Sequence, residues 1–169
     1  MPDMTEIADA TDNPTITDAA DYPKLMATDD WSAHPDTTLQ HMADFANRAR
    51  TGLPVILFLN GTIISGIVSA AEEFYEWANE SQHQAVANST NADNKEATER
   101  YSNYFFGTPA AEHKERRESE ADTHYEIARH IHLKDAKVVT PGIAPMPVGF
   151  VRVLLAHVGA WTLGSFNSN

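Results

Sequence analysis

Apolar positions along this chain switch between helical and strand period. After Pro35, Asp36 can cap a helix whose one side carries Leu39, Met42, Ala43, Ala46 and Ala49, and Gly52 is expected to stop it. The stretch "LPVILFLNGTIISGIVSA" then reads as two β-rich runs, 53–59 and 62–70, on either side of Asn60-Gly61. That dipeptide predicts a type I′ hairpin turn, in which both central residues take φ > 0. In the first run Leu53, Val55, Leu57 and Leu59 alternate with Pro54, Ile56 and Phe58. Both faces are apolar, so this strand is expected to be central or covered on both sides. Gly66 falls in the middle of the second run, where a glycine predicts a sharp bend.

Helical period returns in "AAEEFYEWANE", with Phe74, Trp77 and Ala78 on one side. Residues 79–95 are rich in Asn, Ser and Gln and read as a loop or frayed helix. A second helix is predicted over 95–106, using Ala97, Tyr101, Tyr104 and Phe105 and ending near Gly107 and Pro109. "AAEHKERRESEAD" is polar nearly all round, the mark of a solvated helix or a mobile stretch. Strand character resumes over 125–139, breaks at "TPGIAPMP", and resumes in "GFVRVLLAHVGAWTLGSF". There Gly159 and Ala160 permit a kink into Trp161–Phe166. The expectation is an α+β domain: an N-terminal helix, then five strongly bent strands closing as a small β-barrel, with a helical insertion at 71–124 between strands 2 and 3.

Length and charge refine this. The chain has 169 residues, enough for one domain with a tail. Residues 1–35 hold eight acidic side chains and one lysine, a net of −7 out of −12, and show no helical or strand period. They are expected to form a disordered acidic tail, from which Tyr22, Leu25, Met26 and Trp31 could dock onto the domain at 36–169. A negative chain repels phosphate backbones, which argues against general nucleic-acid binding. The plain alternative reading of the acidity is adaptation to solubility or salt. No cysteine is present, so disulfides and thiolate chemistry are excluded. No apolar run reaches the roughly 18 residues of a membrane span, and "MPDMTEIADATD" is unlike a signal peptide. A soluble cytoplasmic protein is expected.

Candidate chemistry is sparse. His130 and His132 sit two apart in a strand and so point the same way. A catalytic zinc ion needs three protein ligands, and nothing in the sequence places His157 beside the pair. The two imidazoles are therefore expected on the solvent side, opposite Ile131 and Leu133. Asp135 between Lys134 and Lys137 reads as exposed ion pairing of little energetic weight. No GxSxG elbow or Gly-rich phosphate loop occurs, and neither an enzyme, a metal nor a cofactor is expected.

Two resemblances extend the reading. "VILFLNGTIISGIVSA" followed by "IHLKDAKVV" resembles the Sm-like family over about 40 residues. That implies an Sm-like or SH3-like barrel and, as an alternative function, an RNA-binding or ring-forming module. Lys114–Arg117 is the one basic cluster the sequence offers for it. Taken in order, "LNGTIISGIVSAAEEFYE", "HIHLKDAKVVTPGIAPMP" and "VRVLLAHVGAWTLGSF" resemble the gas vesicle accessory protein U family, GvpU, over about 70 residues. The chain departs from that pattern in its long insertion and extended acidic tail. This resemblance implies a non-enzymatic accessory factor, associated with gas vesicles in the cytoplasm. Such a factor acts in vesicle assembly or clustering through contacts with the vesicle shell or other gas vesicle proteins.

The terminal strands offer a means of self-association. A small barrel turns only one strand face inward, so some of their apolar residues are expected outside, where they favour a homo-oligomer. Val151, Val153, Leu155, Trp161 and Phe166 are the candidate contact residues. The competing expectation is that the N-terminal helix and the insertion cover them. Tail and insertion would then keep the assembly soluble and reach the vesicle.

Overall fold

The computed structural model describes residues 35–119 and 128–166. The tail expected at 1–35 (Pro35 apart), docking by Tyr22, Leu25, Met26 and Trp31, the stretch 120–124 and the expected strand start at 125–127 lie outside these residues. Helix α1, Thr37–Ala49, begins where Asp36 Oδ1 accepts from the Leu39 amide at 3.0 Å. It ends not at Gly52 but at Arg50, which takes a left-handed φ of 51°. Strands β1 (Pro54–Leu59) and β2 (Thr62–Ser69) form the expected hairpin. Its turn departs from type I′: Gly61 has φ 81°, whereas Asn60 is not among the residues with positive φ.

Helix α2, Ala71–Val86, follows without a loop. Ala70 has no side-chain acceptor, so the amides at this helix start are met from elsewhere. Glu73 accepts from the Ala70 N–H at 3.2 Å, and Asn47 of α1 accepts from the Ala71 N–H at 2.8 Å. Helices α3 (Ala92–Ser102) and α4 (Thr108–Glu118) are joined by a π-helical turn at Asn103–Gly107 into one helical run. Gly107 and Pro109 were expected to end a helix here, and they do not. A proline inside an α-helix removes one amide donor and clashes with the preceding turn. The wider π turn, with the Thr108 N–H bonded to Asn103 O, carries the chain past it.

Strands β3 (His130–Val139), β4 (Met146–Leu154) and β5 (Val158–Leu163) complete one antiparallel sheet of order β4-β3-β2-β1-β5. β4 and β5 are its two edges and do not pair, so the closed barrel expected from the sequence is an open sheet. The sheet is nonetheless curled. Laid flat, its edges would stand about 19 Å apart. The Leu155–His157 3₁₀ turn links Leu154 to Val158 across four Cα steps, at most about 14 Å.

Gly66 marks where that curl is set. A Cβ there would lie 2.9 Å from Leu133 Cβ and 3.0 Å from Lys134 O. The β2–β3 register shifts at this point, opposite Asp135, which adopts φ 51°. Asp135 is thus a bulge residue. The concave face buries Val55, Leu57, Val68, Ile131, Leu133 and Leu155 against Leu39, Ala43 and Ala46 of α1.

Candidate protein-contact surfaces

The convex face of the sheet is divided. Over β3 and β4 it carries His130, His132, Lys134, Phe150 and Arg152, and α2 lies across it. The Phe74 and Tyr75 rings sit 5.0 and 6.1 Å from the His132 ring. Trp77 stacks on Phe150 at 5.3 Å, and Arg152 lies 5.7 Å from the Tyr75 centroid. Lys134 pairs with Glu73 at 3.1 Å. His132 is therefore buried, which corrects the expected solvent-facing pair. Period two shows that His132 faces away from Ile131 and Leu133; it does not show that a helix covers the other side.

Burial first, then the charges of Arg152, His113 and His130, pull the His132 pKa down to about 3. His130 contacts Arg152 at 3.1 Å and is also lowered, by burial and then by Arg152 and Arg129. A guanidinium beside the pair opposes a cation. Among the described residues no three His, Asp or Glu side chains converge as metal ligands, and His157 lies exposed on the 3₁₀ turn. At neutral pH both imidazoles are uncharged and serve packing.

The helical layer is tied down by polar contacts. Buried Glu72 accepts from Arg50 at 3.0 Å and from Arg117 at 2.9 and 3.3 Å. Burial alone would raise this carboxyl. The Arg117 hydrogen bond and the charges of Arg50, Arg117 and Lys114 outweigh it and hold the group below its ordinary range. Tyr75 stacks on His113 at 5.6 Å, and buried Ser102 donates to Asn79. With its polar side chains turned to α2, the α3–α4 run sends Tyr101, Tyr104 and Phe105 outward, and Tyr104 is 72% exposed. The Tyr101 and Tyr104 rings lie 4.6 and 4.9 Å from that of Phe105, forming a ridge beside the π turn. These three are among the apolar positions on which a helix over 95–106 is predicted.

The other half of the convex face belongs to β2, β1 and β5, and it has no charge. No Asp, Glu, Lys or Arg occurs in 53–71 or in 153–169, although the chain has 36 of them. Phe58, Ala160 and Thr162 are exposed here, and Leu163, opposite Val55 on the other face, is exposed at the same edge. These gaps in charge were legible in the sequence, but only the β1–β5 pairing joins them into one surface. The five residues expected to mediate self-association separate. Val153 and Leu155 are buried in the core, whereas Val151, Trp161 and Phe166 are half-buried.

A family model for gas vesicle protein GvpU-like sequences matches residues 36–166, most of the chain and all of its described elements but Pro35. The chain belongs to the GvpU-like family of gas vesicle proteins. It is a gas vesicle-related protein, as the three quoted segments implied. The search of curated proteins finds no match to it. Among the described residues no helix is long and apolar enough to cross a membrane.

Proposed function

We propose that this GvpU-like protein is a non-enzymatic accessory factor that works by protein–protein contact in gas vesicle assembly or clustering, and that it associates with itself. The observation that carries the reading is a pair of surfaces on which exposed apolar side chains stand together without charge between them. One is the aromatic ridge Tyr101–Tyr104–Phe105 on the insertion, and the other is the uncharged half of the sheet. Exposed apolar patches on an otherwise charged surface mark sites for protein partners. The ridge is suited to the vesicle shell or another vesicle protein. The terminal strand β5, with half-buried Trp161 and the adjoining half-buried Phe166, is suited to a second copy.

The test is flotation with purified vesicles. The wild-type protein is expected to rise with them, and the triple replacement Tyr101→Ser, Tyr104→Ser, Phe105→Ser to remain in the subnatant with an unchanged melting temperature. Equal flotation of both would remove the ridge from the proposal. Failure of the wild type to float, together with salt-sensitive binding to uridine-rich RNA, would replace it by the Sm-like alternative.

A further inference from the structure

The two edges of the sheet are unlike. β4 carries Pro147, which has no amide to donate, and Gly149 at φ 74°. Its register to β3 shifts twice, and Arg152 projects from it. Proline, bulges and charge are the devices by which natural sheets keep an edge from pairing. β5 has neither proline nor charge, and its one register shift to β1 falls at Gly159, near the start of the strand. Within Val158–Leu163, Gly159, Ala160, Thr162 and Leu163 are exposed. The Gly164 amide bonds Pro54 O at 2.9 Å, which sets the ladder phase: Thr162 faces Ile56 with its hydrogen-bonding groups inward. By the alternation of an antiparallel ladder, the backbone groups of Trp161 and Leu163 point away from β1, along the outer edge.

We propose that β5 is a homodimer interface, in which the β5 strands of two copies pair antiparallel about a two-fold axis and join two sheets edge to edge. This deepens the self-association reading above and rests on it. Charge selects the occupant. Two chains of net −12 repel over most of their surfaces. The β2–β1–β5 half is where they can meet with no charge on either side, whereas a basic partner would find nothing there to attract it. An isologous contact needs only one self-complementary strand. A head-to-tail contact, and hence a ring, would require the blunted β4 edge as well.

The full-length chain is to be examined by sedimentation equilibrium, with thermal melts confirming that each variant folds. The wild type is expected to form dimers. They should tighten about threefold or more as salt rises from about 0.01 to 0.1 M, because the repulsive range falls from about 30 to 10 Å. Thr162→Glu and Leu163→Glu should each weaken the dimer about tenfold or more, by setting like charges across the axis. Met146→Glu, on the exposed start of β4, should leave it unchanged. A wild type that dimerises but is disrupted by Met146→Glu and indifferent to both β5 variants would overturn the β5 interface while leaving self-association intact. A wild type that stays monomeric at all concentrations and salts would overturn both, and flotation would then decide the accessory role separately.

Discussion

The β3–β4 half of the sheet and the β2–β1–β5 half belong to one antiparallel ladder, yet they meet solvent in opposite ways. The first carries histidine, lysine and arginine and is roofed by the aromatic side chains of α2. The second carries no charge and leaves Phe58, Ala160, Thr162 and Leu163 exposed. A sheet built only for its own stability would cover the apolar half and leave the charged half wet. The reversed arrangement locates stability in the roofed half and contact in the open one.

If that division is right, mutations in the roof should cost the most stability. Glu72→Gln is expected to have the largest effect, about 2 kcal/mol, since it strips a buried carboxylate from two arginines that still reach water. Denaturant unfolding measures the loss, and hydrogen exchange should show residues 92–118 opening first. Trp77→Ala should cost a similar or slightly smaller amount, about 1.5–2 kcal/mol. Trp77 is 39% exposed, but it gives up its stack on Phe150 and its cover over Gly149. A change below about 0.5 kcal/mol in both would mean that the roof does not hold the sheet.

The parts of this arrangement governed by local rules were legible in the sequence. Asp36 as a cap, the Asn-Gly hairpin, five strands and an insertion after the second follow from period and turn chemistry. What escaped depends on neighbours distant in sequence. His132 is buried because α2 crosses β3, and Tyr101, Tyr104 and Phe105 are exposed because polar Ser102, His113 and Arg117 take the inward positions of their helix. Pro109 is a reliable stop for an α-helix, but a π turn just before it removes the stop. Closure of the barrel escaped as well, since bend residues predict curl and say nothing about whether the last two edges meet.

Acid offers a more selective probe of the roofed half. An unfolded histidine titrates near 6.5, whereas His132 in the fold titrates at about 3. Between these values the unfolded chain binds a proton that the native chain refuses, so stability falls as pH falls. The full slope is about 1.4 kcal/mol per pH unit, and no further loss from this group follows below about 3. His130, also lowered, acts with the same sign. His132→Phe should flatten the decline in melting temperature between pH 6.5 and 5 without abolishing it. An unchanged slope would place His132 in contact with water.

The gentlest substitution is the sharpest test of the division. Phe58 is a large aromatic on a central strand, and a rule that equates ring size with core value would assign Phe58→Ala several kcal/mol. Its side chain is instead 39% exposed on the uncovered convex face, paired across the ladder with Ala160 of β5. Little packing is lost on truncation, so a change of about 0.5–1 kcal/mol in the monomer is expected, the least of the series. The same substitution removes apolar area from the face where two copies are proposed to meet. Sedimentation should therefore report a weaker dimer from a chain that melts almost as the wild type does. A large drop in melting temperature with the dimer intact would show Phe58 to be structural, and the uncharged half would then be an outer layer of the core rather than a place of contact.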